Sequence, residues 1–576
     1  MSSDFQKVLV EDDRLVCTDQ IKYAVNKGGQ NMTSSQYAAI SQSTSSHTYN
    51  IQCPSEMTII DRRVLWKSTV VLQITGTATV GQFLVNYGIS DALAPFPLHQ
   101  LCTNMTATVN NNSVSINTKD VLASILRFND SRVLQRYNGY TPTMPDTYKS
   151  YSDAVGSINN PLGSWVNTSD NDLSPRGSWQ LVPFDAAGLI FVSTDPVTPA
   201  QVAVSTGVAQ TVYVKFTVTE PLLLSPFIFA DPKSNNQGFY GIQNLNFVMN
   251  IGNGNRCWRS ANNYGQSVVP YQFSNSQLIF NFLTCHPSTL LPSRNVVPFY
   301  ELPRYLTSSL PSFDAYGGTA ARQLVRTSTL QLNQIPDKLI IFVRKSMSSQ
   351  TCSDTDSFMV INSLSINFNN QSGILASATQ QDIYRYSVEN GSNQSWYEFS
   401  GFANKPNPMT GGCSLVPTAG SMVVLEFGKD IQLVEDFYSS GSLGNFALQV
   451  NLDVTNQASS AVSDAEIVLI TMNSGCFVCE KGTSSTYTGL LTKQDVLDAS
   501  SQEPYSRSDV ARLVGGGFLD TLKSVAGKIL PKLPSLAKEG LKLIDNKYAN
   551  AGANLLGNLG YGRSGGAAHR LESKLM

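Results

Sequence analysis

The chain has 576 residues, 41% of them hydrophobic, so it is too long for one ordinary core and too apolar to be disordered. Only 14% are charged, against roughly 25% in typical soluble proteins; Ser, Thr, Asn and Gln fill the gap, a profile that suits strands, turns and a surface meeting copies of itself. The net charge of −2 is unevenly spread: residues 513–576 hold nine Lys/Arg and four Asp/Glu and carry +5, which leaves −7 on the body before them.

The N-terminus, MSSDFQKVLVEDDRLV, is acidic and lacks the apolar core of a signal peptide. No apolar run approaches the roughly 20 residues of a membrane-spanning helix. Nine cysteines, scattered singly except for Cys476 and Cys479, form no dense framework, so folding in a reducing, cytosol-like compartment is expected. Asn-x-Ser/Thr triplets such as Asn104-Met105-Thr106 then read as incidental. Residues 1–50 are polar and poorly periodic and read as an N-terminal arm.

Strand-like segments recur from residue 51 to about 480. Val70–Val80, Thr211–Thr219, Leu364–Phe368 and Phe446–Val454 alternate apolar with polar, the mark of sheets with one buried face. Leu339–Val343 (LIIFV) and Glu466–Met472 (EIVLITM) are continuous apolar runs, as expected of strands covered on both faces. Helical periodicity is rare before residue 490, and Asp120–Arg127 is the best short candidate. Many short strands joined by irregular loops indicate sandwiches or barrels. The five prolines of residues 286–311 interrupt ladder hydrogen bonding. They place one antiparallel sandwich over residues 51–290 and a second over 291–512.

Chemistry is sparse. The four histidines, His47, His99, His286 and His569, sit in no metalloprotease or nucleophile-elbow context, and no phosphate-cradling loop occurs. Cys476-Phe-Val-Cys479 has no second ligand pair to complete a zinc site and follows an apolar strand, so it reads as core. Asp354 and Asp356 in CSDTDS lack the glycine and terminal glutamate of a calcium loop and read as a solvated turn. No catalytic, cofactor or metal residue, no cofactor and no small-molecule substrate is expected. From the residues alone, a self-assembling shell protein and a β-sandwich binding protein such as an adhesin both stay open.

Asn362–Gly401 (NSLSINFNNQSGILASATQQDIYRYSVENGSNQSWYEFSG) resembles the second jelly roll of double jelly-roll viral major capsid proteins, those of virophages and Polinton-like viruses above all. VLEFGKDIQL (Val424–Leu433), LGNFALQVNLDVTN (Leu443–Asn456), DRRVLWKSTVVLQITG (Asp61–Gly76), YKSYSDAVGSINNPLG (Tyr148–Gly163) and NVVPFYELPRY (Asn295–Tyr305) extend the resemblance over nearly the whole chain. It implies an all-β chain of two upright jelly rolls, homotrimeric capsomers, and an icosahedral virion shell. The implied partners are copies of itself, penton and minor capsid proteins, and a viral maturation cysteine protease. Assembly in the host cytoplasm or a viral factory goes with it. A single jelly roll with a protruding domain is the alternative within capsid proteins.

The basic tail, residues 513–576, opens on Leu513-Val514-Gly515-Gly516-Gly517, which fits the apolar-x-Gly-Gly pattern of adenovirus-type maturation cleavage and equally a glycine linker. Behind it Phe518, Leu522, Val525 and Ile529 fall on one helical face, with Lys523 and Lys528 off it, the profile of a surface-binding helix. Docking inside the shell, contact with the packaged genome, and contact with a membrane are the three uses open to it.

Overall fold

The protein is described from a computed structural model covering residues 6–10, 23–27, 31–78, 84–85, 91–128, 190–193, 209–227, 238, 240–260, 264–284, 294–407, 412–433, 438–458, 460–480 and 482–489. Leu65–Gly76 and Gln210–Pro221 run antiparallel in unbroken register, Trp66 opposite Glu220 and Ile74 opposite Val212. Alternation sets their faces: Val212, Val214, Phe216 and Val218 are buried, whereas Tyr213, Lys215 and Thr217 between them are only partly covered. Around this pair one sheet runs in the order Ile190–Ser193, Gln210–Pro221, Leu65–Gly76, Ser267–Thr284, Asn31–Ala38. The sheet facing it runs Asn112–Ile116, Cys102–Val109, Asn244–Ile251, Ser46–Gln52, Ser41–Gln42.

A second pair of sheets follows. One runs Arg294–Glu301, Ala465–Glu480, Lys338–Lys345, Val423–Glu426, with Arg304–Thr307 and Thr483–Thr488 also on the long Ala465–Glu480 strand. The other runs Arg322–Arg326, Leu443–Thr455, Val360–Phe368, Gln371–Ile374. Among the described residues no strand of 31–284 pairs with any strand of 294–488, and every ladder of these sheets is antiparallel. Two sandwiches, not one with an appendage, are what the strand patterning required.

Four differences from the sequence reading have local causes. Residues 31–50, expected as part of an arm, carry sandwich strands; His47, Tyr49 and Ile51 alternate inward, a signal that the surrounding Ser, Thr and Asn hide. The strand expected to reach Val80 ends at Gly76, where an added Cβ would stand 2.9 Å from the Tyr264 carbonyl oxygen. The proline-rich stretch holds two strands, because Arg294–Glu301 is an outer strand paired on one side, where Pro298 is tolerated. Gln380–Glu389 is a helix within a region read as strands, opened by a capping box between Thr379 and Asp382. The expected helix before Arg127 is present as Thr118–Ile125, continued by a 3-10 turn to Phe128.

Candidate functional site at the junction of the sandwiches

The sheet built on Lys338–Lys345 and Ala465–Glu480 serves two cores. Leu339, Ile341, Val343, Val423, Leu425, Ile467 and Leu469 face the second sandwich's own interior. Ile340, Phe342, Val424, Val468, Ile470 and Met472 point the other way, into one hydrophobic cluster with Leu98, Val121, Ile125, Leu224 and Trp258 of the first half. The continuous apolar runs are thus explained: a strand covered on both faces has no polar side to show. Phe342 packs against Phe358 with ring centroids 4.3 Å apart and planes tilted by 31°, and the Arg127 guanidinium lies 4.3 Å from the Phe358 ring centre.

Charge closes the rim of this apolar junction. Arg344 and Glu466 are register partners. Arg344 Nε and Nη2 reach Glu466 Oε1 at 2.8 Å, and Nη2 donates to Asp120 Oδ1 at 2.8 Å across the junction. Arg304 donates to the second oxygen of Asp120. Burial alone would raise the Asp120 pKa, but Arg344, then Arg304, outweigh it and hold the carboxyl below the usual range. Nearby, Asp356 takes a 2.6 Å hydrogen bond from Gln100 Nε2 and lies 3.3 Å from Arg259 Nη2. Against the cost of burial, Arg259, with Arg256 and Gln100, draws the Asp356 pKa down. Backbone links cross as well: Ser260 N donates to Cys352 O at 2.9 Å and Gly482 N to Gly241 O at 3.0 Å.

The residues singled out in the sequence fare differently. Asp354 and Asp356 do not form a solvated turn; both are buried, Asp354 bonded to Lys345 Nζ at 2.8 Å and Asp356 to partners more than 90 residues away that local spacing cannot show. Cys476 and Cys479 are buried free thiols in one strand, and positions three apart project to opposite faces, so they cannot share a metal or close a disulfide. His47 is buried against Ser276 Oγ at 3.1 Å, its pKa pushed down to about 4 by burial. His99 is clasped by Glu220, which accepts from its Nδ1 at 2.6 Å and from the Leu98 and His99 amides, while Nε2 accepts from Leu223 N. Among the described residues no group of His, Cys, Asp and Glu is arranged to hold a metal ion. His286, His569, Leu513, Gly515, Gly516, Gly517, Phe518, Leu522, Val525 and Ile529 lie outside the described residues. Sequence reasoning missed Asp120, Arg304, Arg344 and Glu466; the available signal was a charge at the end of a strand otherwise apolar on both faces, which demands a countercharge.

Residues 3–283 match the family model described as Sputnik virophage major capsid protein 1st domain, and residues 302–475 match the one described as major capsid protein V20 C-terminal domain. The chain belongs to the virophage major capsid proteins. It is 29% identical to the capsid protein V20 of Sputnik virophage over 588 residues, covering 97% of this chain and 93% of that protein. A chain of the cryo-EM structure of the Sputnik virophage superposes with a TM-score of 0.71 at 27% identity, over 88% of this chain and 97% of that one. The mavirus major capsid protein, at 14% identity, shares the fold with a TM-score of 0.63 over 82% and 93% of the two chains. This virophage-type capsid protein is therefore a double jelly-roll component of the virion, a structural protein and not an enzyme.

Proposed function

We propose that the chain is the main building block of an icosahedral shell, assembling first as homotrimeric capsomers and then as a closed lattice. The observation that carries this reading is the likeness to the Sputnik virophage chain through both sandwiches, across 97% of that chain's length. A rigid pair of sandwiches fused through a two-faced sheet, with few surface charges, suits repeated contact with copies of itself. Obligate interfaces of this kind commonly bury upwards of roughly 2,000 Å². Light scattering on the purified chain tests it: the expected mass is three times the 62.6 kDa chain, and a clean monomer favours a binding protein instead.

Around that core we assign an arm before residue 31, sandwiches over 31–290 and 291–512, and the tail over 513–576. A viral maturation cysteine protease hydrolyses the Gly516–Gly517 bond in this reading, releasing a basic piece that begins with the Phe518, Leu522, Val525, Ile529 stripe. Before the cut the tail lies under the shell near the packaged genome; afterwards it meets membrane. Penton and minor capsid proteins complete the lattice, in the host cytoplasm or a viral factory. Intact-mass spectrometry of virions decides the cut: the fragment Gly517–Met576 is expected, and a chain still ending at Met576 rules it out.

A further inference from the structure

Arg256 stands at the turn that leads into Trp258–Ser260, on the first-half side of the junction, and its side chain is buried. Its Nε and Nη2 have no hydrogen-bond acceptor among the described residues. These two N–H groups lie on one edge of the guanidinium and form the fork that grips an anion side-on. The carboxylates whose charge reaches it, Asp356 and Asp120, are engaged elsewhere: Asp120 by Arg344 and Arg304, Asp356 by Gln100 and Arg259. Two further cations, Arg344 and Arg259, also act on it. Arg344 has a buried donor of its own without an acceptor, Nη1. Gln100, bonded through its Nε2 to Asp356, leaves Oε1 as a buried acceptor without a partner among the described residues.

A buried guanidinium with unmatched donors is expensive, and beside like charges more so. Such groups persist in folded proteins where water or an ion completes them. Water suffices for a neutral orphan such as a glutamine oxygen, but it does not offset the field of neighbouring guanidiniums. Burial draws the Arg256 pKa down to about 10, still far above neutrality, so the charge stays.

We infer that Arg256, in the field of Arg344 and Arg259, forms a buried binding site for a small inorganic anion that ties the first jelly roll to the second. The assignment is independent of the shell reading, since any protein with this junction would carry the same site.

Bromide is the probe. Crystals of the full chain grown in sodium bromide are expected to show an anomalous peak on the Nε/Nη2 edge of Arg256. A carboxylate side chain or a water seated there, or bromide only elsewhere, overturns the proposal. In solution the melting temperature of the full chain is expected to rise saturably, by about 3 °C or more, when sodium bromide replaces the bulky sodium gluconate at constant ionic strength. Arg256→Met is expected to abolish that difference, and a variant that keeps it overturns the site. If Arg256→Met does not fold, the bromide peak in the wild-type chain decides alone.

Discussion

Asp120→Ala asks how much of the junction depends on charge. Asp120 has 1% of its side chain exposed and faces Arg344, 3% exposed, at 2.8 Å, while its other partner, Arg304, is 29% exposed. Removing one member of a buried pair costs about 3–5 kcal/mol, because the other charge stays buried without its partner. Arg304 can turn to water, so little is lost there. Arg344 keeps Glu466 at 2.8 Å, which sets the expectation at the low end, about 3 kcal/mol. At roughly 2 °C per kcal/mol for a chain of this size, the melting temperature should fall by about 6 °C. Thermal melts at pH 7, with light scattering to confirm an unchanged oligomer, give the measurement. Arg322→Ala is the control: Arg322 is 66% exposed in its pair with Asp453, so the expected loss is below about 1 kcal/mol, under about 2 °C. Should Asp120→Ala melt within the same 2 °C of wild type, apolar burial alone joins the sandwiches and the reasoning fails.

Asp337, held by the Ser474 amide, has its pKa pushed up to about 6, by burial first and then by Glu426. Its folded form keeps a proton that the unfolded form gives up near 3.8, so this residue's contribution to stability falls as pH rises from about 4 through 6. Asp337→Asn should therefore raise the melting temperature at pH 7.5 and leave it unchanged at pH 4; equal effects at both would contradict the assignment. His47 runs the other way, its stabilisation being lost as pH falls from 6.5 through about 4, and a His47 variant should flatten that acid limb of the melting curve. Burial pushes the Cys102, Cys352 and Cys479 thiols up to about 12, so a thiol reagent at pH 8 should label them only after denaturant is added. Gly475→Ala would put a Cβ 1.8 Å from the Tyr487 carbonyl oxygen and should cost about 1–3 kcal/mol or detach the Thr483–Thr488 strand, visible as new hydrogen exchange there.

The sandwiches were legible wherever one face of a strand meets water. Thr211–Thr219 and Phe446–Val454 alternate cleanly, and both are strands with every second residue in a core. The edges were less legible. Asn31–Ala38 is an outer strand of mostly polar residues, so neither composition nor period separates it from an arm. The helix Gln380–Glu389 is hard to read because Ile383 and Ser387 are its only fully buried residues, too few to mark a helical stripe. Its capping pair, Thr379 and Asp382, was the local cue. The contacts of Asp356 had no cue at all: Gln100 and Arg259 meet it only once both halves are folded.

The junction shows why a sheet apolar on both faces needs charges at its end. Leu339–Val343 carries almost no information about register, because a slip of one residue exchanges one set of apolar side chains for another. Arg344 and Glu466 remove that degeneracy. Both have the parity of Ile340, Phe342, Val468 and Ile470, and so face the first sandwich, where Asp120 waits. Shift Lys338–Lys345 by one residue so that Arg344 takes the place of Val343, and Arg344 turns into the second sandwich's interior opposite Ile467, away from Asp120. An unpaired buried cation costs several kcal/mol, more than any difference in apolar area between the two registers of an Ile/Phe/Val strand, each methylene being worth about 0.8 kcal/mol. Apolar burial thus supplies the strength of the junction, and the Asp120–Arg344–Glu466 triad decides which of two nearly equal packings is the native one.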